Sequence, residues 1–374
     1  MHAPDRPSTP RPFPPCPGHP RMTTVRDRVR GVHGADTAAG LRVASYNLAL
    51  VRADGEGFVG DLASQTAFRE LLDEARRQQR TGKDPFGKIP TRELGKREID
   101  MVLVGGDADA AHLVHIAVER HAQRLVEVAR GFLAQPEWQG VEAIVLGGGF
   151  PESHFGGLAI RRADRLLRLA RVKVRLCILE HDPDEAALLG WSVLLPAPVR
   201  RHAAFLAVDI GGTNLRCGLV EHRLDKAADG RKARILEHMH WRHADDAPAR
   251  GEAISRLAGM LNGLNAQART LGIDLAPFVG IAVPGQIEAD GRISQGAQNL
   301  PGDWEMPFDL PDALGRQLDR IGRARPRVLL HNDAVVQGLS QCHAMRKHAR
   351  WGIFTIGTGL GNASYARLPT STRR

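Results

Sequence analysis

The stretch FLAVDIGGTNLRCGLVE, Phe205–Glu221, contains two apolar runs that meet at a pair of glycines. Each run has the length and composition of a buried strand. Gly211 and Gly212 remove side chains from the turn, so backbone N–H groups can approach an anion closely. Thr213 and Asn214 add side-chain donors beside the turn. The stretch therefore predicts a strand, turn and strand that hold phosphate, although a plain β-hairpin turn would show the same pattern.

Further glycine turns follow two other apolar strands. FTIGTGLGN places Gly357, Thr358 and Gly359 after a strand over Ile353–Ile356, and VLGGGF ends a shorter strand with Gly147, Gly148 and Gly149. A single glycine turn is weak evidence for a phosphate site. Three of them are more specific, because a nucleoside triphosphate needs several anion-binding turns around one cleft.

Two carboxylates stand at the ends of predicted strands. Asp209 precedes the first glycine turn, where it could organise Mg²⁺ through water, since Mg²⁺ takes few carboxylates and keeps much of its hydration. In LLHNDAVVQG, Asn332 and Asp333 stand where a strand ends and a helix begins. A carboxylate there can act as a general base towards a substrate hydroxyl. A simple helix N-cap would explain the same residue types.

The composition indicates a globular protein with room for two domains. The chain has 374 residues, 43% hydrophobic and 25% charged, with a formal charge of +9. Helical and strand patterns alternate, which predicts an α/β fold. We find no nucleic-acid-binding motif, so nucleic acid is not an expected partner. Four scattered cysteines suggest no disulfide framework, and no apolar run approaches a membrane span, so we expect a cytoplasmic protein without membrane contact.

Six motifs together resemble the ROK family of bacterial sugar kinases. These are DIGGTNLRCGLV, VGIAVPGQIEADGRI, AQNLPGDW, HNDA, TIGTGLG and IVLGGG. The resemblance implies a two-lobed ribonuclease H-like (actin-like ATPase) fold and an ATP-dependent, glucokinase-like phosphorylation of a hexose hydroxyl. It implies ATP and Mg²⁺ as cofactors and leaves a homodimer open as the assembly.

The motifs stand in an unusual order. Family members begin with DIGGT and end with GGG, whereas here Gly147–Gly149 precede Asp209, which predicts a circularly permuted chain. We expect a disordered Pro- and Arg-rich leader (1–25) and the main part of the larger lobe (26–196). A linker (197–204) leads to the smaller lobe (205–334) and then to the start of the larger lobe (335–374).

The resemblance assigns roles to the motif residues. Asp333 would be the base, with Asn332 and Asn299 also bonding the sugar. The turns at Gly211–Asn214 and Gly357–Gly359 would hold the phosphates of ATP. Gly147, Gly148 and Gly149 would border the nucleoside, and Asp209 would organise Mg²⁺.

The chain departs from the family at the sugar-binding residues. A Glu and a His usually follow the RGxxG stretch, but RGVHGADTAAGLRVASYN supplies neither at the expected place, and only His33 and Asp36 are nearby. The zinc-binding cysteines of many members are also missing. The alternative is therefore a catalytically weak or inactive ROK-like protein that binds sugar or nucleotide, or has a regulatory role. His238, His240 and His243 could ligate a metal, but a solvated strand face is the preferred interpretation.

Overall fold

The computed structural model describes residues 31–38, 40–79, 84–105 and 107–369, so the expected leader lies outside the described residues. Within these ranges the strands are Thr37–Ala38 (β1), Leu41–Tyr46 (β2), Ala143–Gly147 (β3), Arg175–Ile178 (β4), Ala204–Ile210 (β5), Leu215–Glu221 (β6), Arg234–Trp241 (β7), Leu275–Val283 (β8), Arg327–Asn332 (β9), Arg350–Ile356 (β10) and Leu360–Arg367 (β11). The α-helices are Gln65–Gln78 (α1), Lys96–Gly105 (α2), Ala108–Leu133 (α3), His154–Leu169 (α4), Pro183–Leu194 (α5), His243–Asp246 (α6), Arg250–Thr270 (α7), Leu310–Gly315 (α8) and Asp333–Leu339 (α9).

The first sheet has the strand order β1-β2-β11-β10-β3-β4. Strand β10 pairs in parallel with β3, and β3 pairs in parallel with β4. Strand β11 is antiparallel to both β10 and β2, so β2 runs in the same direction as β10. The centre of this sheet thus joins strands from opposite ends of the described chain.

The second sheet has the strand order β7-β6-β5-β8-β9 and comes from one continuous part of the chain. Strands β5, β8 and β9 are parallel, whereas β5, β6 and β7 form an antiparallel meander. The predicted α/β class and two-lobed arrangement are confirmed. The strands predicted at 144–146, 206–210 and 353–356 all lie inside their sheets and are almost entirely buried, as continuous apolar runs require.

Three hydrophobic clusters fill the layers around the sheets. One packs α1, α3 and α4 on the outer face of the first sheet. Another packs α7 and α8 on the outer face of the second sheet. The third lies between the sheets, around α5 and α9. A Cβ on Gly190 of α5 would overlap the carbonyl oxygen of Val336 on α9, so this glycine lets the two helices pack closely.

Helix α1 begins at Gln65, and the Ser64 hydroxyl caps it by accepting from Ala67 N. Asp107 is the N-cap of α3. Strand β2 and most of α2 were not predicted from the sequence. Among the described residues no single helix is long and apolar enough to cross a membrane, and only α2 and α3 counted together, bent by 117°, pass by length and composition.

Candidate functional site

The candidate site lies where the carboxyl ends of the parallel strands meet. Strands β5, β8 and β9 end at one edge of the second sheet, and β3 and β10 end at one edge of the first. Ligands of α/β sheets bind at such edges, because loops and helix starts gather there. Each of the three predicted glycine turns follows one of these strands.

The turn between β5 and β6 is held by two histidines. Gly211 N donates to the carbonyl of Asn214 over 2.9 Å. His243 Nε2 lies 2.7 Å from Gly211 O, and His240 Nε2 lies 2.9 Å from Asn214 Oδ1. His238 pairs with Gly218, further along β6. These contacts support the turn. His238 and His240 lie exposed on β7, as predicted, whereas His243 is buried and belongs to α6, which corrects the prediction of a solvated strand face for this residue.

Asp209 and Arg216 face each other across the same hairpin. Arg216 Nη1 lies 3.3 Å from Asp209 Oδ2, and its other terminal nitrogen forms an ion pair with Asp184 at the start of α5. Burial raises the pKa of Asp209, the charge of Arg216 lowers it, and the charge of Asp184 raises it. Arg216 therefore partly compensates a buried carboxylate at the first turn.

Asp333 is the first residue of α9 and directly follows β9. Its Oδ1 accepts a hydrogen bond from Ala334 N over 2.8 Å. Burial and, second, the nearby charge of Asp209 raise the pKa of Asp333 to about 7. The carboxyl therefore titrates near neutral pH, where a general base is most effective.

Asn332 is the N-cap of α9 and is buried. Its Oδ1 accepts from Val335 N over 3.2 Å, and its Nδ2 donates to Gly285 O over 3.0 Å. Both amide groups thus have protein partners. One further N–H of the side chain is left for a ligand, since the amide nitrogen carries two hydrogens.

The turn between β10 and β11 has an open outer surface. A Cβ placed on Gly357 or Gly359 would meet no heavy atom within 4 Å. Gly357 O accepts from Gln65 N at the start of α1, over 2.9 Å. A cavity of about 380 Å³ opens beside Thr358, with Arg52 and Arg124 in its wall. The turn can therefore be approached closely from the side of this cavity.

The Gly147–Gly149 turn packs against the end of β10. Gly148 has φ +80°, and a Cβ there would lie 2.6 Å from Ile356 O, so only glycine fits without a shift. Lys96 Nζ donates to Gly149 O over 2.7 Å and lies 3.3 Å from Glu152. The second and third glycine turns are therefore direct neighbours.

An acidic group connects these turns with the first one. Carboxylate oxygens of Glu152, Asp182 and Asp184 lie within 4.8 Å of one another, and all three side chains are exposed. Glu152 follows the Gly147–Gly149 turn, while Asp184 pairs with Arg216 beside Asp209. Contacts through Glu152, Asp184 and Arg216 therefore link the Gly147–Gly149 turn with the first turn.

The loop after β8 closes over the first turn. A Cβ on Gly212 would lie 3.1 Å from the Cβ of Asn299. Asn299 itself is exposed. His33 is used elsewhere: its Nδ1 accepts from Leu330 N over 3.2 Å, and its ring packs on Gly291. His33 therefore supports the second sheet from the side.

No protein-family model and no curated protein matches the chain. Solved structures do resemble it, among them a Cytophaga hutchinsonii protein described as a sugar kinase (18% identity, 44% of this chain, 48% of the other, TM-score 0.32). A Listeria monocytogenes protein described as an N-acetylmannosamine kinase has 20% identity, 44% and 47% coverage and a TM-score of 0.31. The ROK hexokinase of Thermus thermophilus is 22% identical over 42% of this chain and 45% of the other, with a TM-score of 0.29. The matched part spans about half of each structure. Every one of these TM-scores is below 0.5, so the proposed function rests on the geometry of the site.

The sequence motifs do not predict three residues of the site: Lys96, Asp184 and Arg216. Arg216 could have been found by counting outwards from the hairpin turn, because Ile210 pairs with Leu215 and Asp209 with Arg216. No comparable signal exists for Lys96 or Asp184, since both come from distant parts of the chain.

Proposed function

We propose that the chain transfers the γ-phosphoryl group of ATP to a hydroxyl of a hexose, with Asp333 as the general base. The observation that carries this proposal is the position of Asp333. Its carboxyl, with a pKa of about 7, lies near the charge of Asp209 at the strand ends that the glycine turns follow. A structural N-cap alone would need neither the raised pKa nor the second carboxylate.

The proposed reaction needs one proton transfer, from the sugar hydroxyl to the protein. The Asp333 carboxylate accepts the proton of the sugar hydroxyl, whose oxygen forms a bond to the γ-phosphorus. The bond from that phosphorus to the bridging oxygen breaks, and ADP leaves with the bonding electron pair. Such transfer depends mainly on positioning and charge stabilisation, which a closed cleft provides.

The residues of the cleft fit a nucleoside triphosphate and its metal ion. Backbone at Gly357 and Gly359 is open, and Gly211–Asn214 form the other phosphate turn. Gly147–Gly149 would border the nucleoside. Asp209 and Asp333 are two carboxylates whose pKa values are raised by burial, an arrangement that a divalent cation stabilises. Bound Mg²⁺ would neutralise phosphate charge, and Asp209 would hold it through water.

The sugar would lie between Asp333 and the loop after β8. Asn299 extends from this loop into solvent near Gly212, and Asn332 keeps one amide N–H free. Both side chains can bond hydroxyls without taking up a proton. We propose them as sugar ligands, as the motif resemblance implies.

A coupled assay for ADP release tests the proposal, with Mg²⁺, ATP and a panel of hexoses. We expect hexose-dependent turnover that Asp333→Asn lowers by about 10²- to 10⁴-fold, since general-base catalysis contributes on that order. The affinity for ATP should remain. Asp225→Asn makes the same change at an exposed position and should leave turnover intact.

Loss of ATP affinity in Asp333→Asn would contradict the role of a base. ATP binding without turnover on any hexose, in a folded wild-type chain, would favour the alternative of a binding or regulatory protein. Arg216 is the residue to consider in that case, because it already neutralises Asp209.

We also propose that the element order is a circular permutation of the family order. The support is the parallel pairing of β10 with β3, which brings the last strands of the described chain beside the early ones. A chain reopened at the exposed Ala197–Pro198 bond, with Leu368 linked to Gly31 by a flexible segment, should keep the same fold. Loss of cooperative unfolding in that variant would count against the proposal.

A further inference from the structure

Strand β2 ends at the cleft with Tyr46 and Asn47. It runs parallel to β10, so its last residues lie at the edge where the turn at Gly357 also lies. Asn47 N donates to Asn362 O over 3.0 Å, which fixes this end of β2 on β11. These residues are therefore the part of the first sheet that faces the loop after β8.

Tyr46 joins the two sheets through its phenol. Gln286 Nε2 donates to Tyr46 Oη over 3.1 Å, and Tyr46 Oη donates to Ile287 O over 3.4 Å. The Tyr46 ring packs edge-on against His331, with 5.7 Å between ring centroids. His331 precedes Asn332 and Asp333, so Tyr46 is fixed close to the proposed base.

Asn47 has an unusual backbone conformation and an unused amide. Its φ is +51°, the left-handed region that only glycine adopts freely and that asparagine tolerates best among other residues. The side chain is half-buried and has no hydrogen-bond partner among the described residues. A half-buried carboxamide without a partner loses hydration that a ligand could restore.

The amide of Asn47 reaches the loop of the second sheet. A Cβ on Gly296 would lie 2.7 Å from Asn47 Nδ2 and 3.0 Å from Gly285 Cα. Gly285 O in turn accepts from Asn332 Nδ2, next to Asp333. The Asn47 amide is thus connected to Asn332, the residue before Asp333, through Gly296 and Gly285.

We propose that Asn47, held in place by the Tyr46–Gln286 hydrogen bond, binds a hydroxyl of the acceptor and selects neutral sugars. The inference rests on the proposed function and assigns residues where the expected family Glu and His are missing. Tyr46, Asn47 and Gln286 offer only neutral donors and acceptors. Uncharged hydroxyls can bond to both kinds of group, whereas an amino sugar or a sugar acid would bring a charge that this wall does not compensate.

The test uses Asn47→Gly, because glycine keeps the left-handed backbone and removes only the amide. We expect the dissociation constant and the KM for D-glucose to rise about tenfold, with the KM for ATP and the melting temperature unchanged. Tyr46→Phe, which loses only the contacts of the hydroxyl, should raise the KM for glucose by a smaller factor. Calorimetry measures glucose binding separately from turnover.

Asn47→Asp tests the selectivity, since it keeps the shape and adds a negative charge. We expect it to shift preference from glucose towards glucosamine by tenfold or more, in competition experiments at equal concentrations. An unchanged preference would overturn the selecting role.

The outcomes separate this inference from the proposed function. A wild-type chain that binds glucose without phosphorylating it contradicts the transfer step alone, and the binding changes of Asn47→Gly then still decide the role of Asn47. If glucose binding and turnover are the same in Asn47→Gly as in the wild type, the inference is overturned and the proposed function is not. A wild-type chain that binds neither glucose nor any other hexose of the panel overturns both.

Discussion

Burial shifts the pKa of Asp333, at the start of α9, and the pKa of His121, in the core of the first sheet. The surroundings of the two side chains differ. His121 lies on α3 among Phe68, Phe150 and Phe155, and neither ring nitrogen has a hydrogen-bond partner among the described residues. Burial and, second, the charge of Arg124 lower its pKa to about 3. Asp333 instead accepts from the backbone N–H of Ala334 and lies near the charge of a second carboxylate, Asp209.

The comparison shows that a perturbed pKa alone does not identify a site. With a pKa of about 3 His121 is neutral near pH 7, and its ring lies against Phe68 and Phe150 of the core. Asp333, with a pKa of about 7, lies at the carboxyl end of β9, where the proposed substrate would bind. Geometry therefore separates a catalytic candidate from a buried core residue, and the predictions below test each side of this difference.

The largest effect should appear in the pH dependence of turnover. Asp333 must be ionised to accept a proton, so kcat/KM should fall about tenfold per pH unit as the pH drops below about 7. In Asp209→Asn the second cause of the raised pKa is gone while burial remains. The Asp333 midpoint should therefore move to lower pH, which carboxyl NMR titration can follow even if activity is weak. A midpoint that stays the same would contradict the coupling of the two carboxylates.

The next effect concerns acid stability. Unfolded His121 binds a proton near pH 6.5 but folded His121 only near pH 3, so the fold loses up to about 1.4 kcal/mol per unit as the pH falls between these values. His121→Leu should gain about 2 kcal/mol over wild type between pH 6.5 and pH 5 in urea unfolding. His115→Leu changes an exposed histidine of the same helix and is the control. Parallel curves for His121→Leu and wild type would argue against an unpartnered core histidine.

The smallest effect should be a stability gain from removing the base. Folded Asp333 holds its proton more tightly than unfolded Asp333, so its stabilising contribution is complete below about pH 4 and is lost as the pH rises through about 7. Asp333→Asn should therefore become more stable than wild type as pH rises, by on the order of 1 kcal/mol at pH 8 after allowance for solvent screening. Asp225→Asn should show no such trend in thermal unfolding. A destabilised Asp333→Asn at pH 8 would mean that the Asp333 carboxylate mainly stabilises the first turn of α9.

Local sequence predicted the parts of the fold whose signal is short-range. The apolar runs before the glycine turns became β3, β5 and β10, and Asn332 became the N-cap of α9 where the sequence predicted a strand end and a helix start. These features follow from strand length, glycine conformations and N-cap chemistry, which act within a few residues. The roles of Asp333, Asn299 and the glycine turns remain predictions.

Long-range contacts explain what the sequence did not predict. Strand β2 has only a short apolar pattern and is formed because β11 offers its edge. Arg216 pairs with Asp184 only because α5 crosses from the first sheet onto the second. Asn47 likewise contacts Gly296 from a distant part of the chain, since Asn47 follows β2 of the first sheet and Gly296 lies in the loop after β8 of the second.

The sequence by itself determined the α/β class, the glycine turns at the strand ends and the carboxylate at the start of α9, because each depends on neighbouring residues. Only the tertiary structure decided that Glu152 and Asp184 link these turns, that Asp209 raises the pKa of Asp333, and that Tyr46 and Asn47 face the loop after β8. The physical reason is that sheet order and the packing of α5 on α9 set the distances between segments far apart in the chain, and no local pattern encodes those distances.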